Sequence, residues 1–478
     1  MFIRKGMAFI KTSAIPALIG ALLTLSLSSC VFETDEWLRT DPELSKSEGT
    51  VPSFSSRNME TPEAFEFTLN EEDMTYEVSL NKAKSDVSEV YIPSSYNGHP
   101  VTAIAEKGFW SDCGPRYVFI PKTITKIGET AFDQSGYGIE TIDVSPDNPC
   151  FSDYNGMLFN KDQTELIRCP RGKERDIKLP NTVLTLHDFC FSKCNLSSFT
   201  GLPRSVRKIG GYAFDGVKGL ASTLVIPDSV LDIGCCAFRG GYFDEIILGN
   251  SVEIIREGAF EDCGRLTLLD IPDSVKTIEP EAFKHCGSLR DVTLNAGLEA
   301  IGEEAFAYCP LKTLSIPGTV SSISPRAFMF CGSLESFDVS PLNADYSDID
   351  GVLFVKNQTK LLCCPALRAQ VTIPDTVTSI GDDSFFSNKA ITSIVIPDSV
   401  TEIGVSAFYG CAYLEEVSLG RGVSIIYSSA FRRCTRLVTF TYAGTISEWE
   451  AIRKDSSMFS DCPLLAVTCS DGQVSLAA

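Results

Sequence analysis

Residues 259–306 read AFEDCGRLTLLDIPDSVKTIEPEAFKHCGSLRDVTLNAGLEAIGEEAF, and the dipeptide Ala-Phe returns in this stretch every 23 residues. The surrounding unit is I-G-x-x-A-F-x-x-C-x-x-L-x-x-V-x-I-P-x-S-V. Its phenylalanine lies at thirteen positions: Phe109, Phe132, Phe191, Phe214, Phe238, Phe260, Phe283, Phe306, Phe328, Phe385, Phe408, Phe431 and Phe459. Outside two long gaps, successive phenylalanines are 22 to 24 residues apart, with a last interval of 28. A repeat of fixed period therefore organises the chain from about residue 100 onward.

This period predicts a solenoid. Repeats of ~20 to 29 residues are typical of leucine-rich repeats, in which each coil supplies one strand and a short helical or irregular return. Residues 289–294 alternate as a half-buried strand, and an Ile-Pro-Asp-Ser-Val turn such as residues 271–275 follows each strand of this kind. One coil cannot bury its own apolar edge, so neighbouring coils must stack. The expected fold class is α/β: a leucine-rich repeat solenoid of about 13 coils, with a parallel concave sheet, short helical turns and terminal caps.

The two long gaps in the repeat hold the same insertion. Residues 143–170 align without gaps on residues 338–365, and 16 of the 28 positions are identical. In each copy a glycine precedes an apolar triplet, and a polar turn then leads into an apolar pair. This pattern predicts a hairpin added to the coil. The Asp- and Asn-rich parts could also be taken as a calcium loop, but they lack the acidic spacing and final Glu of an EF-hand.

The N-terminus predicts export. A basic segment precedes an apolar run over residues 14–29 that is too short and one-sided for a convincing membrane span. Residues 27–30, Leu-Ser-Ser-Cys, resemble the lipobox of bacterial lipoproteins. Residues 1–30 are therefore expected to form a lipoprotein signal peptide in which Cys30 carries the lipid, with an ordinary cleaved signal as the alternative. The expected location is the cell surface, at the outer membrane, with this lipid as the only membrane contact.

The segments that follow differ in composition. Residues 31–65 are acidic, rich in Ser, Thr and Pro and without a sustained period, which predicts a flexible tether, or alternatively a tail that docks on a basic partner. Residues 66–100 are expected to form N-terminal cap strands, 101–440 the solenoid and 441–478 a C-terminal cap. Caps are needed because terminal coils would otherwise expose an apolar face and open strand edges.

Composition argues against nucleic-acid binding and leaves little material for catalysis. The chain has 41 Lys and Arg against 62 Asp and Glu, a net charge of −21, so repulsion opposes DNA, RNA and anionic lipid headgroups. The three histidines, His99, His187 and His285, each stand alone in their segments. The sequence contains no nucleotide-binding loop, serine-hydrolase elbow or zinc-protease motif. It therefore predicts no catalytic residue, no metal site and no cofactor.

Eighteen cysteines in an exported protein would ordinarily indicate a disulfide framework. Eight of them instead lie three residues after the repeat phenylalanine: Cys194, Cys263, Cys286, Cys309, Cys331, Cys411, Cys434 and Cys462. Cys113 lies four residues after Phe109. Side chains in such a column point in parallel about 5 Å apart, farther than the ~3.8 Å between Cβ atoms that a disulfide prefers. The column predicts buried core thiols, and whether any cysteines pair stays open.

These patterns resemble the BspA-type leucine-rich repeat family of bacterial surface proteins. The resemblance rests on I-G-x-x-A-F-x-x-C-x-x-L, on I-P-x-S-V and on both inserts, and it covers roughly residues 65–470. The chain departs from the pattern at Pro280 and Pro325, where proline enters the turn. The family implies a cell-surface or secreted binding protein, often an adhesin for host proteins or other cells, and it does not fix a ligand.

The resemblance and the missing catalytic motifs together predict a non-enzymatic, surface-anchored adhesin or interaction scaffold. Its expected partner is an extracellular or cell-surface protein, such as a host matrix protein, and the oligomeric state stays open. A glycan-binding lipoprotein and an inward-facing periplasmic scaffold are the alternatives. Residues that alternate with the buried Leu and Val of the concave sheet face outward and are expected to bind the partner. They include eight charged residues: Asp244, Glu245, Arg290, Asp291, Lys312, Glu335, Glu415 and Glu416.

Overall fold

The computed structural model describes residues 60–82, 87–110, 114–132, 138–172, 175–199 and 201–476. All of them belong to one compact unit, Met59–Ala478. The predicted signal peptide, Cys30 and the predicted tether as far as residue 59 lie outside the described residues, as does Cys113. Ala64 and Phe65 are buried in the first hydrophobic cluster. The folded part therefore includes the last residues of the segment predicted to be a tether, since these two side chains pack into the core.

Short strands build every region of the unit. The N-terminal region holds β1 (Phe65–Asn70), β2 (Thr75–Leu80), β3 (Glu89–Tyr91), β4 (Ser95–Tyr96), β5 (His99–Ile104), β6 (Tyr117–Ile120), β7 (Lys126–Ile127) and β8 (Thr141–Val144). The first insert holds β9 (Phe151–Tyr154), β10 (Met157–Asn160) and β11 (Glu165–Arg168). The central region holds β12 (Arg175–Ile177), β13 (Thr185–Leu186), β14 (Leu196–Phe199), β15 (Lys208–Ile209), β16 (Thr223–Val225), β17 (Asp232–Ile233), β18 (Glu245–Ile247), β19 (Ile254–Ile255), β20 (Leu268–Ile271), β21 (Thr277–Ile278), β22 (Asp291–Leu294), β23 (Ala300–Ile301), β24 (Thr313–Ile316), β25 (Ser322–Ile323) and β26 (Ser336–Val339).

The chain continues in the same manner after the central region. The second insert holds β27 (Tyr346–Ile349), β28 (Val352–Val355) and β29 (Lys360–Cys363). The C-terminal region holds β30 (Ser379–Ile380), β31 (Ser393–Ile396), β32 (Glu402–Ile403), β33 (Glu416–Leu419), β34 (Ile425–Ile426), β35 (Thr439–Tyr442), β36 (Arg453–Lys454), β37 (Ala466–Cys469) and β38 (Gly472–Ser475).

Two sets of parallel strands run along the solenoid. The longer strands form the long-strand sheet, with the order β16-β18-β20-β22 in the central region and β31-β33-β35-β37 in the C-terminal region. This is the parallel sheet that the sequence predicts. The two-residue strands form a second ladder, which includes the order β13-β15-β17-β19-β21-β23-β25. The sequence reasoning missed this short-strand ladder, since two residues are too few to show an alternation.

The predicted leucine-rich repeat solenoid is confirmed, with about sixteen turns. In the described part of the chain, thirteen turns carry the repeat phenylalanine, and β2, β11 and β29 supply three more turns that lack it. The count from the sequence was lower because it followed the phenylalanine alone. The extra turns belong to the N-terminal cap and to the two inserts.

The turn that carries Ala-Phe is not helical, in contrast to the short helical turns predicted. Around Phe283, for example, Glu281 has φ 59° and His285 has φ 60°. A left-handed residue on each side of the phenylalanine interrupts a right-handed helix after a single turn. Helices among the described residues are the 3₁₀ helix Pro62–Ala64 and α1 (Ile446–Ala451). No helix in this part of the chain is long and apolar enough to cross a membrane.

The repeat phenylalanines stack as a column in the core. The Phe260 ring lies 5.4 Å from the rings of Phe238 and Phe283, with interplanar angles of 3° and 8°, and all three side chains are fully buried. The Phe260 N–H also donates to the carbonyl of Ala282 in the next coil at 2.8 Å. Each coil therefore offers its neighbour both an apolar surface and a backbone acceptor, which is how stacking stabilises a solenoid.

The two inserts fold alike, and the predicted hairpins are confirmed. The predicted hairpins are the antiparallel pairs β10–β11 and β28–β29. Strands β9 and β27 pair antiparallel with the other sides of β10 and β28, and β11 and β29 also join the short-strand ladder in parallel. The buried Asn148 amide donates to the carbonyls of Pro121 and Ile124, both at 2.9 Å. Asn343 makes the matching bonds in the second insert. These asparagines hold the insert against the preceding coil.

Candidate protein-binding surface

The eight residues predicted to bind a partner all lie at the same end of the long strands. Glu245, Asp291 and Glu416 are the first residues of β18, β22 and β33, and Asp244, Arg290, Lys312, Glu335 and Glu415 directly precede β18, β22, β24, β26 and β33. All eight are exposed or half-buried. The repeat explains this arrangement, because equivalent positions in successive coils fall into one row.

The structure brings only some of the eight together. Asp244, Glu245, Arg290 and Asp291 belong to the sheet β16-β18-β20-β22, Lys312 and Glu335 to the pair β24-β26, and Glu415 and Glu416 to the C-terminal sheet beyond the second insert. Within the first group, Leu268 pairs in register with Glu245 on one side and with Asp291 on the other. A partner that contacts one of these carboxylates therefore also meets a leucine.

The carboxylates of the central sheet differ in how they are paired. Asp244 makes an ion pair with Arg265 at 2.8 Å, so its charge is largely compensated. Glu245 accepts a hydrogen bond from the Thr223 hydroxyl at 3.0 Å. Asp291 is exposed and makes no ion pair with any described residue. The sheet therefore carries the unpaired carboxylate of Asp291 beside Leu268, next to the exposed guanidinium of Arg290.

Sequence reasoning missed an apolar part of this surface. Val225, Ile247 and Leu268 lie on the neighbouring strands β16, β18 and β20 and are 49%, 48% and 40% exposed. Val225 and Ile247 are register partners, so their side chains stand side by side on the outward face. The signal was present in the sequence, since residues 245–247 read Glu-Ile-Ile where alternation would place a polar residue last. We call Val225, Ile247 and Leu268 the apolar triplet.

A groove opens beside the apolar triplet. It has a volume of about 740 Å³, and its lining includes Phe199, Leu202, Arg204, Val225 and Ile247. The groove exists because β16 is the end strand of its sheet, while the preceding long strand β14 pairs with β12. This volume is within the range of ligand pockets, which is ~300 to 1,000 Å³.

The C-terminal sheet has a different outward face. Val395 is 67% exposed, but its register partner is Ser418 rather than an apolar residue. Val438 is 64% exposed and directly precedes β35. Glu415 lies 3.8 Å from Arg436, an exposed pair that contributes little to stability. Exposed valines on this sheet are therefore separated by polar side chains.

A small cavity lies where the second insert interrupts the turns. Its volume is about 60 Å³, and Asp383 and Ser384 are among its lining residues. Asp383 has a side chain only 6% exposed and makes an ion pair with Arg326 at 2.8 Å, while burial raises the pKa of the Asp383 carboxyl.

The cysteine column has a structural role. No disulfide is present among the sixteen described cysteines. The Cys286 thiol donates to the carbonyl of Phe260 in the preceding coil at 3.3 Å, and burial raises the pKa of this thiol well above its ordinary value. The neighbouring His285 ring stacks on Tyr308 at 4.2 Å between centroids. Among the described residues, no group of three or more His, Cys, Asp or Glu could hold a metal ion.

Comparisons with known proteins found one family model and several solved structures that are similar to this chain. The family model described as BspA type leucine rich repeat region matches in six copies, over residues 169–223, 220–335 and 363–476. The structure of the pneumococcal vaccine antigen PcpA is 18% identical, with 85% of this chain and 79% of that chain covered and a TM-score of 0.46. A leucine-rich repeat protein from Bacteroides ovatus is 22% identical, with 84% and 98% covered and a TM-score of 0.47. No curated protein matches this chain.

Proposed function

Because this chain belongs to the BspA-type leucine-rich repeat family, we propose that it is an exported surface protein that binds other proteins through its long-strand sheet. The observation that carries the proposal is the exposed apolar triplet beside uncompensated carboxylates. Outward positions of a solenoid sheet are ordinarily polar, and a contiguous apolar patch with a polar rim is typical of a protein interface. The protein acts as a binding scaffold without catalysis, as solenoids of this kind typically do.

The finer role that we propose is adhesion to extracellular matrix proteins, with the protein held at the cell surface by a lipid on Cys30. The acidic excess of the chain supports a partner with a basic patch, since opposite charge speeds association. The anchor has its own test. Cys30→Ala should move the chain from the detergent phase to the aqueous phase, and unchanged partitioning would reject lipid attachment at this residue.

Charge reversal on the sheet tests the binding function. Four residues at the strand ends are changed together to lysine: Asp244, Glu245, Glu415 and Glu416. A matched control reverses four exposed acidic residues on turns away from the sheet: Glu129, Asp147, Asp162 and Asp375. Both variants change the net charge equally, and both must keep the wild-type thermal midpoint. Binding to a panel of immobilised matrix proteins should fall for the sheet variant and stay for the control. Equal binding by the two variants would move the site off the sheet.

A further inference from the structure

The long-strand sheet is interrupted at the open side of β16. The preceding strand β14 pairs with β12, and the described residues across the gap are joined by the bridge between Asn195 and Lys218. Beyond this bridge β14 and β16 are separated by the groove described above, with Phe199 on one side and Val225 on the other. The apolar triplet therefore continues into a concave site rather than ending on a flat surface.

The charges around the groove and triplet are predominantly acidic. The region contains four carboxylates and two guanidinium groups. The carboxylates are those of Asp228, Glu245, Asp270 and Asp291, and the guanidinium groups are those of Arg204 and Arg290. The Asp244–Arg265 pair adds no net charge. Asp270 and Asp291 are both exposed and make no ion pair with the described residues. They lie on β20 and β22, next to Leu268.

We propose that this site binds an extended segment of a partner protein in which bulky apolar side chains are followed by lysine or arginine. The inference rests on the proposed function and assigns that function to one site. The triplet, Asp270 and Asp291 all lie on the outward face of the sheet, so apolar side chains can enter the groove and cover the triplet while basic ones farther along the segment reach Asp270 and Asp291. A second copy of this chain fits less well, because its net charge of −21 repels the acidic rim.

The probe is a fluorescein-labelled peptide in which a run of leucines is followed by a run of lysines, and its anisotropy is measured with the full chain. Two control peptides carry glutamate in place of lysine, or serine in place of leucine. The paired change Val225→Thr and Ile247→Thr keeps the β-branched shape and should weaken binding about tenfold or more, since two exposed apolar contacts are lost. The matched change Val395→Thr and Val438→Thr removes two exposed valines from the C-terminal sheet and should leave binding within about twofold.

The charge contribution is tested by Asp270→Asn with Asp291→Asn. This variant should weaken binding several-fold and should flatten its dependence on salt, because the screened attraction has been removed. Wild-type affinity in the Val225→Thr, Ile247→Thr variant would overturn the inference, as would equal affinity for the glutamate peptide. A wild-type chain that binds matrix proteins but not the leucine–lysine peptide would overturn this inference and leave the proposed function standing. A chain that binds the peptide but no extracellular protein would overturn the proposed function and leave the peptide site standing.

Discussion

The central and C-terminal parts of the long-strand sheet are built from nearly the same sequence, yet they present different surfaces. Residues 224–230 read LVIPDSV and residues 394–400 read IVIPDSV. Val225 and Val395 are both exposed at equivalent positions, but the register partner of the first is Ile247 and that of the second is Ser418. The coils that hold Val225 and Val395 are nearly identical, and the outward residue that differs belongs to the coil that follows each of them. A binding surface on a repeat protein is therefore set by outward residues one period apart.

The interiors of the two regions differ much less. Both have a stacked phenylalanine column, and in both the column cysteine donates to a carbonyl of the preceding coil. One exception is Asn388, which occupies the cysteine position in the coil that follows the second insert. We expect the two interiors to be equivalent in stability and the two outward faces to differ in binding.

The largest expected effect is truncation of a column phenylalanine. Phe260→Ala in the central region and Phe408→Ala in the C-terminal region should each lower the free energy of unfolding by about 3 to 5 kcal/mol, because each leaves a large cavity between two stacked rings. Urea unfolding followed by circular dichroism measures both. Costs that differ by several kcal/mol would show that the two cores are not equivalent.

The next effect is at Asn388. Its buried amide donates to the carbonyl of Pro365 at 2.8 Å, and its oxygen accepts from the N–H groups of Ala390 and Ile391. Asn388→Ala leaves these backbone groups without their partner and should destabilise the protein by about 2 to 3 kcal/mol. Urea unfolding followed by circular dichroism measures this loss of stability as well. A loss no larger than that of a column cysteine would contradict a special role for Asn388 after the insert.

A smaller effect is expected for the column thiols. Cys286 and Cys411 donate to backbone carbonyls at 3.3 and 3.0 Å. Serine has a shorter side-chain bond, so its hydroxyl would reach the carbonyl less well, and Cys286→Ser or Cys411→Ser should each cost about 1 to 2 kcal/mol. Alkylation of the denatured wild type without reductant is the accompanying control. Cysteines linked to one another in that sample would refute the free-thiol column.

The sequence predicted the scaffold more completely than the surface. The spacing of the phenylalanines was enough for the solenoid, and the duplicated segment was enough for both hairpins. The left-handed residues such as His285 could not be foreseen, because large side chains seldom adopt positive φ and no glycine marks the position. The apolar triplet was missed because each of its members looks ordinary in its own coil. Only the register shows that Val225 and Ile247 are neighbours.

The smallest expected change in stability comes from Ser418→Ile, which copies the central arrangement onto the C-terminal sheet. Ser418 is half-buried and its neighbour on the outward face is Val395. The free energy of unfolding should change by about 0.5 kcal/mol or less, as is usual for surface substitutions. The number of peptides bound per chain, measured by calorimetry, should rise only if a pair of exposed apolar side chains is sufficient to bind the peptide. An unchanged stoichiometry would indicate that the groove beside β16 is also required.

The most direct test compares two paired substitutions in one adhesion experiment. The full chain carrying Val225→Thr and Ile247→Thr, and the full chain carrying Val395→Thr and Val438→Thr, are each applied to immobilised extracellular matrix proteins beside the wild type. All four valine and isoleucine side chains are exposed, so both variants should keep the wild-type thermal midpoint. Binding by the central sheet predicts loss of adhesion for the first variant alone. Equal adhesion by both variants, at the wild-type level, would contradict it.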